Sequence, residues 1–420
     1  MQEFEDFWIW DDPAVASALN WYRAVAVNRA PAKFRIAATI PIEFPIESAP
    51  EDALWAELDR LTPEFVACHQ RIRAGNTQLG LCARSPNLLE LCLELTQRML
   101  AHCNFCQWNC KVDRRKGTKF GTCKLAAGTR VSTYFHHMGE ELIYRGRLGS
   151  GTIFFTSCNM RCAFCQNGDI STDKDNGTEI DARSLAAMAW VLRMEGCHNI
   201  NWVGGDPTIH LHTIVEAIAL LGGACADPSR MDLEAALPIK ANHFFGGNID
   251  AEHGTYMDGF NAPMLWNSNF FMTEEAMKIL RLLIDVWLPD FKFGPGRCAI
   301  TLARTPRYWE TVTRNLKLID DWDEDATIRH LVMPNHVKCC TEPVLDWVAE
   351  NIPRIPVNIM DQYHPDTFTD PRSPAYDDRY ADLARHPNRD EIETAFRYAK
   401  KRGIHFETVT YERNKTGFRI

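Results

Sequence analysis

Between residues 151 and 362, apolar runs typical of buried strands alternate with amphipathic helical patterns. The predicted strands are GTIFFTS (151–157), NINWVG (199–204), PIKAN (238–242), PMLWNS (263–268), DVWLPDF (285–291), TIRHLVM (327–333) and PVNIMDQ (356–362). Segments whose apolar residues have helical spacing lie between several of these strands, as at 182–195, 273–284 and 307–319. Strands that alternate with helices predict parallel βα units, arranged as a barrel or an open sheet. The predicted fold class is therefore α/β.

The segments that flank these units differ from them in pattern. Helical spacing in ALWAELDRL (53–61) and LLELCLELTQRMLAHC (88–103) predicts a helical N-terminal extension. We expect four regions: a helical extension over 1–100, a four-Cys metal-binding segment over 101–145, a core barrel over 146–372 and a C-terminal α/β segment over 373–420. A chain of 420 residues with 45% hydrophobic content is long enough to bury such a core.

Composition and charge exclude several classes of function. The net charge is -9 and no long run of Lys or Arg occurs, so we expect no general nucleic-acid-binding surface. No run of about 18 apolar residues indicates a membrane span. The acidic and aromatic start, MQEFEDFWIWDD, is unlike a targeting segment. These features predict a cytoplasmic protein that binds neither membrane nor nucleic acid.

The chain contains fifteen cysteines, and seven of them fall between Cys103 and Cys165. In an intracellular protein, clustering of this kind indicates metal binding rather than disulfides. The other eight, among them Cys68, Cys197 and Cys298, are scattered along the chain. Because an isolated cysteine often behaves as a small buried apolar residue, no role is assigned to these.

Three of the clustered cysteines, Cys158, Cys162 and Cys165, directly follow the strand GTIFFTS in SCNMRCAFCQN. Each thiolate can bind one iron of a [4Fe–4S] cluster, which leaves the fourth iron open. The amino and carboxylate groups of S-adenosylmethionine can chelate an open iron, and one electron can then break the S–C bond. The position at the carboxyl end of a strand, where parallel α/β folds carry their chemistry, favours this interpretation over a zinc or structural iron–sulfur loop.

Candidate cofactor-binding residues lie at the ends of three further strands. They are Gly204, Gly205 and Asp206 in VGGDPT, Asn267 and Ser268 in WNSN, and Asp290 and Lys292 in LPDFK. Two glycines let a backbone approach a ligand closely, and Asp206 can accept hydrogen bonds from the methionine amine. Asn267 and Ser268 suit ribose hydroxyls or a carboxylate. Asp290 and Lys292 share one strand face, where a zwitterionic ligand or an internal salt bridge is equally consistent with the pattern.

A second group of cysteines lies upstream, in CNFCQWNCKVDRRKGTKFGTC. Its four thiols belong to Cys103, Cys106, Cys110 and Cys123. Four Cys at these spacings can close a zinc or iron site or bind an auxiliary iron–sulfur cluster, and spacing does not separate these options. The basic residues inside the loop either offset the charge of the thiolates or form a solvated face: Arg114, Arg115, Lys116 and Lys119.

Two other polar groups are expected to be structural rather than functional. The segment YFHHMGEE (134–141) carries His136, His137, Glu140 and Glu141, which either contact a substrate or, as we expect, lie exposed on the surface. His330 lies in the strand TIRHLVM and is predicted to be a core residue with its hydrogen bonds satisfied.

Taken together, these motifs resemble the pyruvate formate-lyase activating-enzyme-related radical SAM proteins, and specifically their PflX-type branch. The resemblance is carried by GSGTIFFTSCNMRCAFCQNGDIS, VGGDPT, DVWLPDFKF, IRHLVMPNH and VNIMDQYHP, together with the four-Cys segment and HHMGEE. It runs from about Cys103 to Pro365, in the expected order. Residues 1–100 and 222–262 depart from the pattern as an extension and an insertion.

The resemblance implies a partial (β/α)6 barrel with a [4Fe–4S] cluster and S-adenosylmethionine at its mouth. It also implies that Gly204, Gly205 and Asp206 touch the methionine moiety, and that Asp290 and Lys292 lie near the cofactor carboxylate, with a bound monovalent cation.

The function that we expect is reductive cleavage of S-adenosylmethionine to a 5′-deoxyadenosyl radical that abstracts hydrogen from a substrate. One version is an activating enzyme for a glycyl radical protein, and another modifies a different protein or a small molecule. The competing class is a non-catalytic iron–sulfur protein that transfers electrons or senses oxygen. The expected partners are an electron donor such as a flavodoxin or ferredoxin and, in the first version, a protein substrate.

Overall fold

The computed structural model describes residues 2–76, 84–223 and 252–410. The predicted strand 238–242 and most of the insertion 222–262 lie outside these ranges.

Ten strands build the sheet structure of the described chain. They are β1 (Thr129–His137), β2 (Ser150–Phe155), β3 (Thr178–Ile180), β4 (Ile200–Gly204), β5 (Thr255–Tyr256), β6 (Gly259–Phe260), β7 (Met264–Ser268), β8 (Val286–Pro289), β9 (Ile328–Leu331) and β10 (Val357–Met360). The strands β2, β4, β7 and β8 pair in parallel in that order. Isolated parallel bridges join β8 to β9, and β9 pairs in parallel with β10. Six parallel strands therefore form a partial barrel, which confirms the predicted fold class.

The sheet does not close on itself within the described residues, since β10 pairs with β9 alone. On its other side, β2 pairs with the antiparallel strand β1, which in turn pairs with β3. The sequence analysis placed no strand at β1 or β3. The barrel is therefore open between β2 and β10.

Helices surround the strands and precede them in the chain. The α-helices are Gln2–Glu5, Pro13–Ala18, Asn20–Ala26, Lys33–Ala37, Glu51–Arg73, Leu88–Met99, Leu142–Arg145, Gly168–Thr172, Ala182–Met194, Leu211–Gly223, Glu274–Arg281, Cys298–Ala303, Tyr308–Asp321, Glu342–Asn351, Arg389–Arg402 and Glu407–Thr410. Shorter 3-10 helices span Trp8–Asp11, Leu100–His102, Pro207–His210 and Asp378–Leu383, and a π-helix spans Val337–Thr341. The predicted helices over 182–195, 273–284 and 307–319 all form, with ends shifted by a few residues.

Successive side chains of the strands point to opposite faces of the sheet, and each face is buried in its own apolar core. Trp202, Trp266 and Trp287 stand opposite one another on β4, β7 and β8, and all three are fully buried against the surrounding helices. Neighbouring residues of the same strands, such as Leu265 and Leu288, point to the barrel interior. The helices thus cover the outside of the barrel, and a second apolar cluster fills part of its inside.

The N-terminal segment contributes much of this inner cluster. Tyr22 packs there with Leu265 and Leu288. The Trp21 indole donates a hydrogen bond of 2.8 Å to the Asp285 carboxylate, directly before β8, and the backbone N–H of Ala32 donates to Asn261, shortly before β7. These contacts lie at the amino ends of the strands. The N-terminal helices therefore seal the end of the barrel opposite the carboxyl ends.

Residues 373–410 form helices, the longest being Arg389–Arg402, and contain no strand in this described stretch of the predicted C-terminal α/β segment. Among the described residues, no helix combines the length and the apolar character that crossing a bilayer requires.

Candidate functional site

The loop after β2 carries Cys158, Cys162 and Cys165 at the carboxyl end of the barrel. The Cys158 side chain is buried, and the other two are half-buried. All three line one cavity of about 210 Å³. Burial raises the pKa of the Cys162 thiol to about 12, although nearby Lys292 opposes this shift. The thiolate form of this residue therefore needs positive charge beside it, such as that of Lys292 or of a metal ion.

Contacts with several parts of the chain fix the path of this loop. The Trp108 indole donates a hydrogen bond of 2.6 Å to the carbonyl of Asn159, and the Asn269 amide donates to the Asn159 side chain. Further along, the backbone N–H groups of Arg161 and Ala163 donate to carbonyls at the end of helix Cys298–Ala303. These contacts fix the backbone that carries the three thiols.

Gly204 and Gly205 lie where β4 passes the base of this loop. A Cβ atom on Gly204 would stand 2.2 Å from the Phe155 nitrogen, and one on Gly205 would stand 1.7 Å from the Ser157 oxygen. Gly204 also has a φ of +128°, which L side chains rarely adopt. The glycines are thus required by the close approach of two protein backbones. Both also line the cavity, where a ligand meets bare backbone.

Asp206 is placed behind the cavity wall and is not among the residues that line it. Its carboxylate accepts hydrogen bonds from the backbone N–H groups of Thr208 (2.9 Å) and Asn269 (3.0 Å). Burial raises its pKa to about 6. In this structure Asp206 joins the end of β4 to the end of β7, and direct contact with a cofactor amine stays a prediction.

The other predicted cofactor-binding residues surround the same cavity. Asn267, Ser268, Asp290 and Lys292 all line it. The Lys292 ammonium pairs with the Asp290 carboxylate. Burial works against the charged Lys292, but Asp290 and then Cys162 raise its pKa above the usual value. The salt bridge expected as one alternative is present, and it leaves a cation and an anion facing the three-Cys loop.

A second cavity of about 280 Å³ continues from the first. Asn267, Arg329 and Met360 line both. Its other walls include Phe154 on β2 and Asn358 on β10, so it occupies the open side of the barrel. The two cavities together connect the open side of the barrel with the three-Cys loop.

The floor of this second cavity is a buried ion group that the sequence analysis misjudged. Arg329 contacts Glu140 at 2.8 Å and Glu141 at 2.6 Å. Asn201 and Asn358 donate further hydrogen bonds of 2.8 and 2.7 Å to these carboxylates. The expectation that Glu140 and Glu141 are exposed was therefore wrong, because the arginine inside the barrel neutralises them.

The two histidines of the same segment are also bound rather than free in solvent. His136 is buried and contacts the Glu195 carboxylate at 3.0 Å. Half-buried His137 lies 3.3 Å from Glu140. The sequence signals that could have suggested an ion pair were the polar run ending at Glu141 and, much later in the chain, a lone arginine inside a predicted strand.

The four-Cys segment closes around a small space of about 10 Å³ lined by Cys103, Cys106, Cys110 and Cys123. Buried Arg114 lies beside it and donates hydrogen bonds to the carbonyls of Ala126 and Ile209. The segment also touches the three-Cys loop, because Ser157 donates to the Cys123 carbonyl at 2.8 Å.

Comparison with known proteins agrees with this geometry. The family model of the radical SAM superfamily matches residues 152–248, which contain the three-Cys loop and both glycines. A relative named "Uncharacterized protein MJ0674", from Methanocaldococcus jannaschii, is 33% identical over 389 residues, which is 91% of this chain and 97% of that protein. This chain belongs to the radical SAM superfamily.

Solved structures also resemble this radical SAM chain at low identity. Streptococcus suis SuiB bound to precursor peptide SuiA has 12% identity and a TM-score of 0.38, over 80% of this chain and 60% of that one. The protein anSMEcpe with bound AdoMet has 15% identity and a TM-score of 0.33, over 49% and 48%. The chain spans about half the length of the solved structures that it matches.

The residues present fit the two groups that a radical SAM protein implies. Three thiols converge on the first cavity, and in the described structure they are the cysteines that line it. A cubane cluster has four irons, so three thiols leave one iron for another ligand. Bare glycine backbone, the amide of Asn267 and the Lys292–Asp290 pair lie around that position. These are groups that an amino acid and a ribose can bind.

Proposed function

We propose that this radical SAM chain cleaves S-adenosylmethionine reductively and uses the resulting radical to abstract hydrogen from a substrate. The single observation that carries this is the convergence of three thiols and several uncharged or paired polar groups on one cavity at the carboxyl ends of the strands. An electron-transfer protein needs no such ligand-binding cavity beside its cluster.

Each residue of the cavity then has a defined task. Cys158, Cys162 and Cys165 hold the cluster. Lys292, with its charge maintained by Asp290, attracts the carboxylate of the methionine moiety. Asn267 and Ser268 face the cavity with uncharged donors and acceptors that suit ribose hydroxyls. When bound, the two cofactors supply one electron and a hydrogen-abstracting radical.

The second cavity supports a substrate that enters from the open side of the barrel. It is continuous with the first cavity and is lined mostly by polar groups, including the paired Arg329 and Glu141. A backbone loop of a protein can reach the three-Cys loop by this path. We therefore favour a protein-modifying role of the activating-enzyme kind, in the PflX-type branch, over a buried small-molecule site.

The four-Cys segment is proposed to hold a second metal group, either a zinc or iron ion or an auxiliary iron–sulfur cluster. Its four thiols line one enclosed space of about 10 Å³. The hydrogen bond from Ser157 to the Cys123 carbonyl links this segment directly to the three-Cys loop. A cytoplasmic flavodoxin or ferredoxin is the proposed electron source.

The test is anaerobic reconstitution of the full chain with iron and sulfide, followed by dithionite and S-adenosylmethionine. We expect 5′-deoxyadenosine and methionine in equal amounts, measured by chromatography. Cys162→Ala is expected to abolish both products, whereas Cys106→Ala retains part of the activity because it removes a ligand of the other site only.

The scattered and buried Cys68 supplies a matched control, since Cys68→Ala leaves both groups of cysteines intact. Absence of 5′-deoxyadenosine from the reconstituted wild type would instead favour the electron-transfer or oxygen-sensing class. Wild-type activity in Cys162→Ala would refute the assignment of the cluster ligands.

A further inference from the structure

A third group of metal-ligand side chains lies outside both Cys sites. It consists of Cys298, at the start of helix Cys298–Ala303, and of His336, Cys339 and Cys340 in the segment after β9. The ligand atoms of all four residues lie within 4.8 Å of one another. Cys298 was assigned no role from the sequence, where it is an isolated cysteine 38 residues before His336.

The distances within this group match the edges of one tetrahedron. Cys298 Sγ lies 3.6 Å from Cys339 Sγ and 3.5 Å from His336 Nδ1. Cys339 Sγ lies 3.3 Å from the same nitrogen and 3.9 Å from Cys340 Sγ. A tetrahedral zinc with Zn–S of about 2.3 Å and Zn–N of about 2.0 Å gives S···S and S···N edges of about 3.8 and 3.5 Å.

The imidazole of His336 is also oriented as in metal sites. Its other nitrogen, Nε2, lies 3.3 Å from the carboxylate of Asp382 in the 3-10 helix Asp378–Leu383. A histidine that binds metal usually donates its second ring N–H to a carboxylate, which fixes the tautomer. Here this contact leaves Nδ1 facing the three sulfurs. The ring orientation is thus a second observation, independent of the spacing of the thiols.

From this geometry we infer a Cys3His site for a single zinc ion at Cys298, His336, Cys339 and Cys340. The ion binds three thiolates and one neutral imidazole, and the protons of the thiols leave to solvent. Since all four positions are filled by protein, the site is structural rather than catalytic.

The zinc site ties together two of the loops that follow barrel strands. Cys298 opens the helix whose last carbonyls, at Leu302 and Ala303, accept hydrogen bonds from Ala163 and Arg161 in the three-Cys loop. His336 to Cys340 belong to the segment after β9. We expect zinc to hold this helix in place beside the cluster loop. That consequence rests on the proposed function, whereas zinc binding itself does not.

The first experiment uses the wild-type chain and needs no substitution. The protein is alkylated with iodoacetamide, with and without 1,10-phenanthroline, and each cysteine is read by peptide mass spectrometry. We expect Cys298 and the exposed Cys339 to be protected until the chelator is added. Equal alkylation in both samples would overturn the proposal. The proposal would also be overturned if a phosphine reductant, but not the chelator, made these cysteines reactive to iodoacetamide. That result would indicate a disulfide.

The second experiment counts zinc by mass spectrometry in purified full-length variants. Cys339→Ser is expected to lose about one zinc per chain relative to wild type, and Cys68→Ser to lose none. Because the change in zinc is measured, the result stands even if the four-Cys segment also binds zinc or if the chain shows no activity. Unchanged zinc in Cys339→Ser, with a circular dichroism spectrum like that of wild type, would contradict the site. If Cys339→Ser does not fold, the alkylation result decides.

Discussion

At the scale of single residues, Gly205 illustrates how the fold and the site depend on the same atoms. Its backbone N–H donates to the Phe155 carbonyl, and the next N–H, of Asp206, donates to the Ser157 carbonyl. These bonds tie the end of β4 to the start of the three-Cys loop. A side chain at position 205 would therefore displace the loop that carries the cluster ligands.

Gly205→Ala is expected to prevent normal cluster binding, because its Cβ would stand 1.7 Å from the Ser157 oxygen. The measurement is iron per chain after anaerobic reconstitution. Gly223→Ala is the matched control, since a Cβ at that helical position meets nothing within 4 Å. Wild-type iron content in Gly205→Ala would show that the loop tolerates the displacement.

The contribution of Asp285 to the stability of the chain is expected to depend on pH. Burial raises its pKa to about 6, although Met264, Trp21 and Lys33 donate hydrogen bonds that oppose this. The folded chain therefore holds the Asp285 proton more tightly than the unfolded chain, whose pKa is near 3.8. Stability contributed by this group is present at low pH and is lost as the pH rises through about 6.

Urea unfolding of wild type and Asp285→Asn tests this sign. Relative to the variant, wild type is expected to lose about 1.4 kcal/mol of unfolding free energy between about pH 5 and about pH 8. The contributions of other titrating groups to the unfolding free energy are common to both proteins and cancel in the difference. A difference between the two proteins that does not change with pH would contradict the assignment.

At the scale of elements, the carboxyl and amino ends of the parallel strands have separate tasks. The proposed cluster and cofactor residues lie at the carboxyl ends of β2, β4, β7 and β8, whereas the N-terminal helices occupy the opposite end. The ion group of Arg329, Glu140 and Glu141 lies between them, inside the barrel. Each of these three side chains is largely buried, with Glu141 only 3% exposed.

Removing one partner of this ion group leaves buried charge without compensation. Arg329→Met is expected to lower the unfolding free energy by about 3–5 kcal/mol, measured by urea unfolding. The exposed pair of Arg372 and Asp370 supplies the control, and Arg372→Met should leave stability unchanged within error. Equal stability of Arg329→Met and wild type would show that the carboxylates find another counter-charge.

Local pattern was enough to predict the six parallel strands and the three-Cys loop, because apolar runs and short Cys spacing are encoded by neighbours in the chain. The antiparallel strands β1 and β3 were missed. His330 was also predicted as a core residue, and its ring bonds to the Phe291 carbonyl and the Thr341 hydroxyl. The pairing of Glu141 with Arg329 spans 188 residues and depends on the barrel. The grouping of Cys298 with His336 likewise required the fold, although the short run NHVKCC offered a signal.

At the scale of the whole molecule, the N-terminal segment is an integral part of the barrel. Trp21 and Tyr22 are fully buried and bond to Asp285 and Asp325 before β8 and β9. Lys33 pairs with Glu324 in the same region. The segment that carried no recognisable chemistry in the sequence therefore completes the interior that the six parallel strands leave open.

Trp21→Ala is expected to cost about 3–5 kcal/mol of unfolding free energy, because it empties a large buried volume and removes a donor to Asp285. Iron per folded chain should stay at the wild-type value, since the site lies at the other end of the strands. Leu220→Ala, at a position 44% exposed, serves as the control. Wild-type stability in Trp21→Ala would mean that the N-terminal helices are dispensable.

Radical chemistry at this site requires that the three-Cys cluster keep one iron open for S-adenosylmethionine. The most direct measurement is electron paramagnetic resonance of the dithionite-reduced full chain, carrying Cys106→Ala and Cys110→Ala to remove any signal of the four-Cys segment. We expect a reduced [4Fe–4S] signal whose g-values shift when S-adenosylmethionine is added. A cluster signal that is identical with and without S-adenosylmethionine, or no cluster signal at all, would contradict it.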